Sequence, residues 1–108
     1  MQACLQAGEV VQIDCTDTIA DGIAGNLEPG SITIDLCKNI IDDTICCDEA
    51  ETKAAMKLLI EKEHLLIEGS AGTALAAMIK NQANIQGKNI VLIVCGANIS
   101  LDKLKSVI

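Results

Sequence analysis

The sequence predicts an α/β fold, a partial sheet with flanking helices, and three observations carry that prediction. Helical and extended patterns alternate along the 108 residues, the order expected of layers built on a largely parallel sheet. Asn89 to Val94 is a continuous apolar run bounded by Lys88 and by Cys95-Gly96, the pattern of a strand buried on both faces. Asp48, with Glu51 three residues on, opens an apolar-periodic stretch with the signature of a capping box. The length suits one small domain with a modest core.

Taken in order, Glu9 to Ile13 is a short apolar run expected to be a strand. Thr18-Ile-Ala-Asp-Gly22 and Asn26-Leu-Glu-Pro-Gly30 are turn-rich connection, and no helix is expected before Pro29. Ser31 is an N-cap candidate for a helix carrying Ile32, Leu36, Cys37, Ile40 and Ile41, closed by Asp42-Asp43. Thr44 to Cys47 follows as a short strand. The capping box then starts a helix with Ala54, Ala55, Leu58 and Leu59 on one face and a Glu49/Lys53 pair, running to about His64. Glu68-Gly-Ser-Ala-Gly72 breaks the pattern. An Ala-rich helix resumes from Thr73 to about Lys80 and is ended by Asn81, Asn84 and Gly87, its small residues allowing close packing. Asn89 to Val94 is then the expected central strand, and Ser100 starts a terminal helix.

Composition excludes several function classes. Half the residues are hydrophobic but none is Phe, Tyr or Trp, so the core is built from Ile, Leu, Val, Ala, Met and Cys, without the anchors that stack on bases or dominate interfaces. A net charge of −7 with eight cationic side chains, all lysine, speaks against nucleic acid and against anionic membrane surfaces. No apolar run reaches the roughly 18 residues needed to span a bilayer. The first residues, Met1 to Gly8, lack the cationic region and apolar stretch of a secretory signal. A soluble, cytoplasmic chain is expected, its six cysteines reduced.

The turn after the apolar run, Cys95-Gly-Ala-Asn98, is a candidate ligand site, because open α/β sheets bind ligands beyond the carboxyl ends of strands. It is equally readable as a buried thiol followed by a turn. Glu68 before Gly69 and Gly72 is either a carboxylate beside a glycine-rich helix entry or an ordinary capping residue. His64 is read as surface structure at a helix end, where a cation complements the dipole. The cysteines form no C-x-x-C pair and have one histidine beside them, so no metal site is expected. Asp42, Asp43, Asp48 and Glu49 are read as a solvated acidic loop. Cys46 and Cys47 point to opposite faces of their expected strand.

Three segments in order, Thr18-Ile-Ala-Asp-Gly-Ile-Ala24, Glu68-Gly-Ser-Ala-Gly-Thr-Ala-Leu-Ala-Ala77 and Cys95-Gly-Ala-Asn-Ile-Ser-Leu101, resemble the C-terminal landmarks of the fold type II, tryptophan synthase beta-like enzymes that use pyridoxal phosphate (PLP). The likeness runs from Gln2 to Ile108 and is nearest to the threonine dehydratases, serine dehydratases and serine racemases. It implies that Cys95 hydrogen-bonds the pyridine nitrogen of PLP, that Gly22 lies beside the ring, Glu68 near its nitrogen edge, and Asn98 in the turn that closes the site. A thiol at that nitrogen leaves it largely unprotonated where a carboxylate would hold it protonated, a setting the family pairs with β-elimination.

Ala97 departs from the resemblance, standing where the family usually has a second glycine. The lysine that binds PLP covalently, the glycine-rich phosphate loop and the cation-binding acids all belong upstream of Met1, and none of the lysines here sits in a matching motif. The resemblance therefore implies that residues 1–108 are a single C-terminal segment of a dehydratase catalytic domain, with no catalytic residue of its own and no tight hold on PLP when alone. Expected partners are a complementary N-terminal half or further copies of the chain. The alternative is a non-catalytic remnant that serves as a binding or oligomerisation module.

Overall fold

The computed structural model describes residues 1–108. Six helices are its regular elements: α1 (Gln2–Ala7), α2 (Thr33–Ile40), α3 (Glu49–Glu63), α4 (Gly69–Lys80), α5 (Gln82–Ile85) and α6 (Leu101–Lys105), with a 3-10 turn at Asp21–Ile23. They fall into two compact units, one of Met1–Asp17 with Ala24–Thr44, the other of Thr18–Ile23 with Ile45–Ile108.

In the first unit α1 packs on α2, with Cys4 and Ile34 buried. Helix α1 precedes Pro29, where none is expected; Gly8, at φ +77, ends it by donating its N–H to the Cys4 carbonyl, a cap that glycine adopts without steric penalty. Helix α2 starts at Thr33, two residues beyond the predicted cap. The Ser31 hydroxyl is engaged with that of Thr33 at 2.7 Å, so Ile32 takes the N-cap position without a side-chain bond.

The predicted strand at Glu9 to Ile13 is absent, and side chains satisfy its backbone instead. Asn26 brackets Ile13, accepting from its N–H and donating to its carbonyl at 2.9 Å each. The Cys4 thiol does the same for Val11, at 3.4 and 3.5 Å. Backbone groups need partners, and a carboxamide offers the donor and acceptor that a neighbouring strand would supply.

The second unit is built on α3 against α4. The capping box forms as expected: the Asp48 carboxylate accepts from the Glu51 N–H, and Glu51 accepts from the Asp48 N–H, at 2.8 Å each. His64 closes α3 in a left-handed conformation, φ +56, and is exposed, as its surface reading requires. Met56, Ala55 and Leu59 from α3 meet Ala71, Leu75 and Ala76 from α4, with Ile19, Ile67 and Val107 completing the core. Glycine is needed at two points of α4: a Cβ at Gly72 would overlap Met56, and one at Gly69 would overlap the Ile19 carbonyl. The helix accordingly begins at Gly69 and not at Thr73; the glycines expected to interrupt it are what let it approach its neighbours.

The partial sheet is not present. Thr44 to Cys47 and Asn89 to Val94 take no regular secondary structure and make no ladder, and the one backbone bond joining the chain around Ile67 to the stretch after Val94 is Glu68 N–H to the Gly96 carbonyl, at 3.1 Å. One bond fixes no register. Nor is the apolar run buried: Val91 is 86% and Ile93 66% exposed, while Leu92 packs on the core. An apolar run states which residues need cover and not what covers them. Likewise Cys46 and Cys47 do not share a strand; Cys46 is exposed and Cys47 half-buried, its thiol directed to the Thr73 carbonyl. Burial, foremost, pushes the Cys47 thiol pKa up.

Candidate functional site

The site is assembled from three stretches of the second unit, starting with the strap Thr18–Ile23. Glu49, in the first turn of α3, anchors the strap: its carboxylate accepts from the Thr18 hydroxyl at 2.8 Å and from the Ile19 N–H at 3.1 Å. The Thr18 hydroxyl accepts in turn from the Ala20 N–H at 3.1 Å. Hydrogen bonds to the ionised form, that of Thr18 first, hold the Glu49 carboxyl below its ordinary pKa. At the other end of the strap Asp21 pairs with Lys103 of α6, which lowers the Asp21 pKa in the same way. Ser100 fixes α6 by accepting from the Lys103 N–H at 3.3 Å.

Between these anchors Gly22 meets the start of α4. A Cβ built on Gly22 would stand 2.7 Å from Ser70 Oγ and 3.6 Å from Glu68 Oε1. Glu68 occupies the N-cap position of α4 but makes no side-chain cap bond. Its carboxylate reaches across to accept from the Asn98 N–H at 3.0 Å. The third stretch, Cys95 to Asn98, is held by that bond and by Glu68 N–H on the Gly96 carbonyl. Gly96, at φ +105, packs so closely that a Cβ there would lie 2.7 Å from the Glu68 carboxyl carbon. The Ala97 carbonyl accepts from the Ile99 N–H at 3.0 Å in a tight turn.

Gly22, Glu68 and Asn98 are thus brought together, through Glu68. Cys95 precedes Gly96 in this stretch and is exposed, its thiol making no hydrogen bond with the other three. Sequence reasoning missed the parts that hold the site. Ser70 and Gly96 lie inside the motifs and carry a local signal, whereas Thr18 with Glu49 and Asp21 with Lys103 are separated by 31 and 82 positions and carry none. The six cysteines are free, no group of three His, Cys, Asp or Glu side chains is arranged to hold a metal ion, and no helix is long and apolar enough to cross a membrane.

Comparison with known proteins bears on this geometry. The family model described as pyridoxal-phosphate dependent enzyme matches residues 1–96. An L-threonine ammonia-lyase of Thermotoga maritima is 30% identical over 108 residues, covering 100% of this chain and 26% of its own length. One of Geobacter sulfurreducens is 32% identical over 104 residues, covering 96% and 26%. Among solved structures, the serine racemase of Dictyostelium discoideum superposes with a TM-score of 0.77 at 35% identity, over 92% of this chain and 31% of its own. The chain therefore spans about a quarter to a third of the length of these proteins. With the match extending over most of its length, through the strap, the start of α4 and into the last glycine turn, the chain belongs to the pyridoxal-phosphate dependent enzyme family.

Proposed function

We propose that this chain is the C-terminal part of the catalytic domain of a PLP-dependent threonine/serine dehydratase, an ammonia-lyase that converts a hydroxy-amino acid to a 2-oxo acid and ammonia. The observation that carries the proposal is the convergence of Gly22, Glu68 and Gly96-Ala-Asn98 on one carboxylate. Two relatives named L-threonine ammonia-lyase support the reaction class. In the complete enzyme PLP supplies the electron sink that lets a proton leave the α-carbon.

The residues present fit the ring end of that group. Gly22 presents bare backbone at the site, its missing Cβ position filled by Ser70 Oγ at 2.7 Å, and the ring would lie against that backbone. The Cys95 thiol, exposed and without a hydrogen bond, would pair with the pyridine nitrogen. Glu68 would stand at the nitrogen edge, with Asn98 closing the turn. The phosphate end has no counterpart among these residues, and Lys38, Lys53, Lys57, Lys80, Lys103 and Lys105 are engaged in ion pairs. By the resemblance, the covalent lysine and the phosphate loop would come from the remaining part of the domain, so that the chain alone would neither hold PLP tightly nor release ammonia. Six free thiols suit a reducing, cytoplasmic setting.

Reconstitution tests the proposal: the chain is co-expressed with an upstream half bearing the lysine and phosphate loop, and 2-oxo acid is assayed from serine and threonine. Activity is expected; a stable but inactive complex overturns the proposal. A second reading, a non-catalytic module that self-associates, is favoured by the exposure of Val91 and Ile93. It is supported if a tagged chain recovers only itself from its native lysate.

A further inference from the structure

The Ser70 hydroxyl is sealed from solvent and has no hydrogen-bond partner. A hydroxyl in that state has given up water and received nothing in exchange, which is destabilising. The usual rescue for a helical serine is the carbonyl three or four residues earlier. Ser70 is the second residue of α4, so that carbonyl lies outside the helix. What closes over the hydroxyl is the Gly22 backbone, whose missing Cβ would stand 2.7 Å from Oγ and 3.6 Å from Glu68 Oε1. The Glu68 carboxylate accepts through its other oxygen, from Asn98. A hydroxyl and a carboxylate oxygen, both without partners, therefore flank the same point on the Gly22 turn.

We propose that Ser70 is a further binding residue of this site, its hydroxyl pairing with a polar edge atom of the ring that is seated against Gly22. The inference rests on the proposed PLP site and adds a residue to it. The hydroxyl turns about one single bond, among three staggered positions, so only the Gly22 turn has to yield. That turn is held at the surface by the Asp21–Lys103 pair, and exposed pairs of this kind hold weakly. Seating a ring against the turn exchanges the unpartnered state of the Ser70 hydroxyl for a paired one.

Ser70→Ala tests this with two readouts, thermal melting of the chain and absorbance titration of PLP into the complex of chain and upstream half. The expected result is a melting temperature higher by a few degrees, roughly the effect of removing one unsatisfied hydroxyl, together with PLP binding about tenfold weaker, the worth of one hydrogen bond. PLP binding as tight as wild type, or a lower melting temperature, overturns the assignment while leaving the proposed function intact. A wild-type complex that takes up no PLP overturns the proposed function and the Ser70 assignment with it.

Discussion

At the scale of single residues, the glycines of α4 separate two kinds of close approach. A methyl at Gly69 runs into the Ile19 backbone, which is fixed by the Glu49 carboxylate on its N–H. A methyl at Gly72 runs into the side chain of Met56, which has three rotatable bonds and can move. Gly69→Ala is therefore expected to destabilise the chain by about 3 kcal/mol, at the upper end of the overpacking range, and Gly72→Ala by about 1 kcal/mol. Urea unfolding of the two variants checks the order; equal effects would mean that the strap yields as readily as a methionine. The Asp48 cap offers a companion test, since Asp48→Ala removes the acceptor for the Glu51 N–H at a cost of about 1 kcal/mol.

At the scale of elements, the strap Thr18–Ile23 is held by two carboxylates whose pKa values are both lowered in the folded chain. The sign follows from that direction. A carboxyl with a depressed folded pKa favours the native state above its unfolded pKa, and the contribution is lost as pH falls through the folded value. Both groups are at the surface, so the effect is local. The strap amides Ile19 to Ile23 are expected to lose hydrogen-exchange protection below about pH 4, the range where ordinary carboxyls titrate, while α3 core amides keep theirs. Glu49→Gln should remove much of that pH dependence; an unchanged profile would mean that Glu49 does not hold the strap.

The elements also mark how far the sequence was legible. The Asp48–Glu51 box could be read because both halves lie within four residues, and the three motifs could be read as a set because their residue types are unusual together. The start of α4 could not, because Gly69 and Gly72 look like breakers until Ile19 and Met56 are placed against them. The sheet was misjudged for a related reason. Alternation and apolar runs report a demand for cover, and Asn26 and Cys4 meet it at Glu9 to Ile13 with side chains that no periodicity encodes.

At the scale of the whole molecule, the demand for cover is left open at Val91, 86% exposed, and at Ile93. Val91 and Ile93 point away from the core that Leu92 joins, and the backbone around them is outside any helix and without a ladder. Such a segment presents unpaired N–H and carbonyl groups together with apolar side chains, the combination that recruits another strand. The chain also spans only about a quarter to a third of its relatives, so in the proposed enzyme the remaining domain supplies that cover. In its absence the chain is expected to associate with itself through this segment. Val91→Lys with Ile93→Lys should shift size-exclusion and light-scattering profiles toward monomer while leaving the helical circular dichroism unchanged, because neither side chain contributes to the core. The same double variant should weaken capture of the upstream half. Loss of self-association with capture intact would place the interface with that half elsewhere, and persistent oligomers would show that another apolar surface, such as exposed Leu65 and Leu66, drives the association.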